Sequence, residues 1–156
     1  MTSPAEEQFI HLSTCISRLH SALETFRLVK SAAPGNPLSG AAFRYGLVEY
    51  VIPFTCSFGD LGKYKLDDRF VPPAYANLHK RIISARHKVH AHADLTIMKA
   101  AFKATGTQAN PAAAVTGKYI DELKELPNID QSVSLVNDSI GNMYVESDSQ
   151  LKALNP

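Results

Sequence analysis

The most constraining feature of this sequence is an apolar seam near its start. Its members recur every three or four positions, namely Phe9, Leu12, Ile16, Leu19, Leu23 and Phe26. This spacing is that of one face of an α-helix. Ser3, with Glu6 three positions later, can form a capping box, and the turn-forming residues that begin at Ser31 end the pattern. The sequence therefore predicts a first helix from about Pro4 to Lys30.

Three later segments show the same periodicity. A second helix is predicted to open at Pro37 or Ser39 and to kink or end at Pro53. A third helix follows the proline pair at residues 72–73, and the last one begins at Pro127. Their apolar faces comprise Phe43, Leu47, Tyr50, Val51 and Phe54, then Leu78, Ile82, Ala85 and Val89, and finally Ile129, Val133, Val136, Ile140 and Met143. Since no segment alternates strongly with a period of two, the predicted class is all-α, an up-and-down helical bundle of about four main helices.

The connecting segments are predicted from small, polar and turn-forming residues. The chain has 156 residues, a length that suits one domain spanning residues 1–156. The Gly-containing stretch 59–69 is predicted to be a connecting loop, and residues of about 103–118 form a long loop. A polar C-terminal tail is expected over about 147–156.

Charge and cysteine usage limit the functional class. The formal net charge is +1, which gives no global signature of polyanion binding. Residues 79–103 nevertheless carry six bases against one acid, so a local positive field is expected there. Cys15 and Cys56 are predicted to be buried free thiols. No signal peptide and no apolar run of membrane-spanning length are expected, and a cytoplasmic location is the default prediction.

The residues best suited to chemistry are concentrated in residues 84–94. Three of the six histidines lie there with one arginine, one lysine and one aspartate, and the set is Arg86, His87, Lys88, His90, His92 and Asp94. Imidazole exchanges protons near neutral pH, and guanidinium binds phosphate or carboxylate oxygens through two hydrogen bonds. The residue types in this segment therefore predict acid–base chemistry on a bound phosphate or carboxylate group.

Arg86 is followed six positions later by His92, in an Arg-x5-His pattern that ends in Ala-His-x-Asp. This pattern resembles the active-site motif of HEPN domains, in the version found in abortive-infection HEPN proteins. The resemblance implies a HEPN-like bundle that acts as a homodimeric, metal-independent endoribonuclease in a toxin or phage-defence system. It implies RNA as substrate, no cofactor, and an antitoxin or a nucleotidyltransferase as a further partner.

The resemblance also implies roles for individual residues. His92 would be the acid–base group, Arg86 the clamp on the phosphate, and His87 a polar residue that orients the site. Substrate binding would fall to Lys88, His90 and Asp94. Because six residues of an ideal helix turn through about 600°, Arg86 and His92 lie about 120° apart on it. They converge only if the helix loosens near His92 or if two chains share the site.

Two other interpretations of the same cluster stay open. A HEPN-like bundle can serve as a non-catalytic dimeric interaction or nucleotide-binding module, with Arg86 paired to Asp94 or to a partner's carboxylate. Alternatively, His87, His90, His92 and Asp94 are all metal-ligand types and could form a metal site if the helix bends. A twofold dimer burying at least about 1,200 Å² is expected, because the apolar seam and the Arg86–His92 face together offer more surface than one small bundle needs.

Overall fold

The computed structural model of the protein describes residues 2–85, 101–104, 107, 113–116 and 122–154. Within them lie four α-helices, α1 (Pro4–Ser31), α2 (Ser39–Val51), α3 (Ala76–Ala85) and α4 (Ile129–Leu154). Short 3₁₀ turns cover Ile52–Phe54, Asp68–Phe70, Pro73–Tyr75 and Glu122–Asn128. The chain is an all-α helical bundle, as the periodicity predicts. None of the described helices is both long enough and apolar enough to cross a bilayer.

The first helix begins and ends where the sequence places it. The Ser3 hydroxyl accepts a hydrogen bond from the backbone N–H of Glu6, and the Glu6 carboxylate accepts one from the N–H of Ser3. This reciprocal pair satisfies two helix-end donors and confirms the predicted capping box. The predicted change at Pro53 is confirmed too, because α2 gives way there to a 3₁₀ turn.

Helix α1 is the centre of the bundle and runs antiparallel to both of its neighbours. Its Phe26 packs on Phe43 of α2, with 5.5 Å between ring centroids, while the earlier Arg18 binds the later Glu49. On the other side, Lys30 at the end of α1 pairs with Asp130 at the start of α4 at 2.5 Å. Leu12, Ile16, Leu19, Leu23 and Phe26 of the seam are at most 7% exposed. The chain's own helices therefore bury these five seam residues, while the dimer itself stays a prediction.

Three other predictions are corrected by the structure. Residues Ala101–Ala104 form β3 and pair antiparallel with β4 (Ala113–Thr116), so the predicted loop of about 103–118 includes paired strands. Helix α4 continues to Leu154, through most of the predicted polar tail of about 147–156. Cys56 is exposed, whereas Cys15 is buried as predicted and burial raises its thiol pKa to about 11.

The segment after α2 is anchored to the first turn of α1. A small antiparallel hairpin joins β1 (Ser57–Phe58) to β2 (Lys63–Tyr64) within the predicted connecting loop. The Glu7 carboxylate accepts hydrogen bonds from the backbone N–H groups of Asp60 and Leu61 and from the Tyr64 hydroxyl. This anchor fixes the hairpin on the bundle, and the residues that follow it form one wall of the cavity described below.

Candidate functional site

The residues predicted to carry the chemistry lie outside the described residues. This holds for Arg86, His87, Lys88, His90, His92 and Asp94, since the description of α3 ends at Ala85. Their roles therefore stay predictions from the sequence. The described stretch 2–85 ends one residue before Arg86, and the last turn of α3 borders a cavity.

This cavity has a volume of about 200 Å³ and lies between α3 and the segment that follows β2. Phe54 and Ile83 give it apolar walls, and Lys65 and Asp68 reach it from the loop. Helix α3 contributes three polar residues, His79, Lys80 and Ser84. Positions 79, 80, 83 and 84 lie within about a turn and a half of each other, so α3 presents them toward one side. The cavity is therefore built mainly from one helix face and one loop.

A buried hydrogen bond fixes the histidine in the cavity wall. The Tyr50 hydroxyl lies 2.7 Å from Nδ1 of His79, and these two residues are 0% and 5% exposed. Burial raises the pKa of the Tyr50 phenol, so that group keeps its proton and donates to Nδ1. Because Nδ1 then accepts, the neutral ring carries its proton on Nε2.

The protonated Nε2 of His79 faces the carboxylate of Asp68. Nε2 of His79 lies 3.6 Å from Oδ1 of Asp68, which is an electrostatic contact and longer than a hydrogen bond. The Asp68 side chain is 63% exposed. The carboxylate thus stands at the cavity with its oxygens available to accept hydrogen bonds from something else. Lys65 and Lys80 add two exposed ammonium groups to the same lining.

A third base near this end of α3 is already engaged. Arg81 donates two hydrogen bonds to Glu125, at 2.6 Å from Nε and 3.0 Å from a terminal nitrogen. Glu125 precedes α4, so the pair ties the two segments together. The Arg81 hydrogen bonds lower the pKa of Glu125, and the same contact raises the pKa of Arg81. Arg81 therefore acts as a structural cation, while Lys65 and Lys80 border the cavity.

Sequence reasoning did not identify this arrangement. Periodicity indicates His79 as a residue on a helix face, but the structure buries it against Tyr50 and Phe54, with centroids 5.8 and 4.6 Å away. The one available signal was its position next to Leu78 on the predicted buried face. Asp68 carries no such signal, because a loop residue joins a site through tertiary contacts alone.

The ligands of the predicted metal site, His87, His90, His92 and Asp94, are not among the residues that the structure describes. Among residues 2–85 and the other described segments, no group of three His, Cys, Asp or Glu side chains could hold a metal ion. Comparison with known proteins adds no family: no family model, curated protein or solved structure matches this sequence.

Removing the Tyr50 hydroxyl should destabilise the fold. In Tyr50→Phe, Nδ1 of His79 loses its donor inside a dry site, which typically costs about 1–3 kcal/mol. Denaturant unfolding monitored by circular dichroism measures the change. Tyr45→Phe is the matched control, since that ring is 54% exposed and its change should stay within about 0.5 kcal/mol. Equal effects of the two substitutions would contradict the role given to the buried hydroxyl.

Acidification should cost the wild type more stability than a His79→Gln variant. Burial lowers the pKa of His79 below 6.5; Lys65 and Lys80 act in the same direction, and Asp68 partly opposes them. The unfolded chain then takes up a proton near pH 6.5 that the folded chain takes up only at lower pH. Stability falls as the pH drops below about 6.5, through this window. Urea unfolding at several pH values should give a flatter profile for the variant, and parallel profiles would argue against a depressed pKa.

Proposed function

We propose that this protein is a HEPN-like, metal-independent endoribonuclease. The observation that carries the proposal is the Arg-x5-His sequence from Arg86 to His92, which begins one residue after the last described residue of α3 in an all-α bundle. A small helical domain with this motif after an amphipathic helix has the two groups that RNA cleavage requires. The bundle itself supports the proposal only as a compatible architecture.

The proposed chemistry uses the nucleophile already present in RNA. The 2′-hydroxyl attacks the adjacent phosphorus while His92 accepts its proton, and Arg86 neutralises charge on the phosphoryl oxygens. The bond from phosphorus to the 5′-oxygen then breaks, and a protonated imidazole returns a proton to that oxygen. The products are a 2′,3′-cyclic phosphate and a free 5′-hydroxyl, and these steps require no metal ion.

The described surface near the motif supports an anionic substrate. Ser84 lines the cavity, and consecutive Cα atoms are about 3.8 Å apart, so Arg86 starts within about 7.6 Å of it along the chain. Lys65 and Lys80 border the same cavity. A nucleic-acid backbone that reaches Arg86 would therefore come close to two further cations, which favour phosphate binding. His87, Lys88, His90 and Asp94 complete the proposed site.

An assay in chelator tests the proposal. Purified protein is incubated with mixed RNA and excess EDTA, and fragments are examined for cyclic-phosphate ends. We expect cleavage by the wild type and none above background from a His92→Ala preparation purified in parallel, which controls for contaminating nucleases. Cleavage that requires added metal, or no cleavage of any RNA, would contradict the proposal. The latter result would favour the non-catalytic module.

A further inference from the structure

The cavity beside α3 differs from a simple phosphate site in one respect. Together with its two lysines it holds the carboxylate of Asp68, which would repel a phosphate bound inside the cavity. Its volume of about 200 Å³ is also below the roughly 300–1,000 Å³ of pockets for drug-sized ligands. The space therefore suits a single flat ring system that offers both donors and acceptors.

The distribution of donors and acceptors narrows the choice of ring. The Asp68 carboxylate only accepts hydrogen bonds, and its 3.6 Å separation from His79 leaves it able to accept two more from a ligand. Lys65, Lys80 and the Ser84 hydroxyl supply donors around the same space. Phe54 and Ile83 provide apolar walls for the faces of a ring.

Among the four RNA bases, guanine matches this set. Its N1–H and N2–H groups are adjacent donors that can bind one carboxylate through two hydrogen bonds, and its O6 beside them accepts from a lysine. Uracil presents a single N–H between two carbonyls. Cytosine and adenine place a ring-nitrogen acceptor next to their amino group, where it would face the carboxylate. Proteins commonly read unpaired RNA bases on this edge.

We infer that the cavity is a guanine subsite in which Asp68 reads N1 and N2 of an unpaired base of the RNA. The buried Tyr50–His79 pair keeps the imidazole N–H facing the carboxylate at 3.6 Å, where it attracts Asp68 electrostatically. Lys65 and Lys80 bind O6 and the neighbouring phosphates. This inference rests on the proposed function for its substrate class, and it gives the nuclease a preference for a guanine close to the cut.

Nucleotide binding to the full chain tests the subsite independently of cleavage. Binding of GMP, AMP, CMP and UMP is measured by calorimetry, with IMP as a probe that lacks only the N2 amino group. We expect GMP to bind most tightly and IMP several-fold more weakly. Asp68→Asn should weaken GMP binding by about tenfold to a hundredfold, the scale of one bidentate base contact. It should also favour AMP, because an amide can both donate to and accept from adenine.

A neighbouring residue supplies the control. Asp67→Asn changes the charge equally, but the Asp67 carboxylate accepts from the backbone N–H of Arg69 at 2.8 Å and does not line the cavity. GMP binding by this variant should match the wild type within about twofold. The Asp68 side chain is 63% exposed, so its replacement should leave the fold intact, which thermal melting verifies.

The outcomes separate the two proposals. Selective GMP binding that is lost in Asp68→Asn, without any RNA cleavage, supports the guanine subsite and overturns the nuclease. Cleavage in chelator with equal binding of all four nucleotides supports the nuclease and overturns the subsite. Similar losses in the Asp67 and Asp68 variants would also overturn it, since general charge would then account for binding.

Discussion

RNA cleavage should fall roughly a hundredfold or more in Arg86→Ala and in His92→Ala. Removing the guanidinium takes away the charge that stabilises the phosphoryl oxygens, and removing the imidazole takes away the proton carrier. Losses of this size are usual for an electrostatic donor or an acid–base group. The measurement is the initial rate of cyclic-phosphate formation with excess RNA in chelator. His87→Ala should have an intermediate effect, because it orients the site without reacting.

Mixed dimers test whether two chains share the site. Arg86→Ala and His92→Ala subunits are combined, and a heterodimer that pairs Arg86 of one chain with His92 of the other should regain about one working site. Light scattering at micromolar concentration establishes the dimer first. If Arg86→Ala and His92→Ala both kept full activity, neither residue would take part in the mechanism. A monomeric wild type that still cleaves RNA would contradict the shared site. Arg86 and His92 would then have to converge within one chain, through a loosened helix.

Phe26→Ala should be among the most destabilising single changes in the bundle, at about 3–5 kcal/mol. The ring is 0% exposed and packs between α1 and α2 beside Gly46. A Cβ at Gly46 would lie only 2.6 Å from the ring, so Gly46→Ala should itself cost about 1–3 kcal/mol through overpacking. Both values come from denaturant unfolding.

Combining Phe26→Ala with Gly46→Ala tests whether the cost of the alanine at position 46 comes from its contact with the Phe26 ring or from helix propensity. With the ring removed, alanine at position 46 has room, so the two losses should be clearly less than additive. Gly141→Ala in α4 is the matched control, because a Cβ added there would meet no described atom within 4 Å. That substitution should stabilise the fold by about 0.5–1 kcal/mol, as expected for glycine in a helix interior. Additive losses at positions 26 and 46 would contradict the close contact between α1 and α2.

Local signals account for the part of the fold that the sequence predicts well. The bounds of α1 follow from a capping box, a sustained period and a proline-rich stop, all contained within about 35 residues of sequence. Residues 147–154 of α4 were predicted to be a tail because most of them are polar. The turns of helix just before them are held by contacts with distant residues, such as Asn142 with the Phe70 carbonyl and Glu146 with Arg69.

The strand pairs and the cavity show where local patterns stop being informative. Ala101–Ala104 and Ala113–Thr116 lack clear alternation, so their pairing was not predictable from period. Asp68 and His79 belong to different elements, and their meeting at 3.6 Å depends on how the loop packs on α3. The chemical cluster of residues 86–94 is conspicuous in the sequence by composition alone, which is why it could be proposed as a site without any contacts.

The Arg81–Glu125 pair has a consequence for the segment that carries the predicted site. These residues are 44 positions apart, and every residue from 86 to 121 lies between them along the chain. The two described positions that flank this stretch of sequence are therefore joined by two hydrogen bonds from a single guanidinium. Losing that link would remove one restraint on the distance between the two positions without changing any residue between them. Arg81 and Glu125 thus help to fix the separation between the two described positions on either side of the motif.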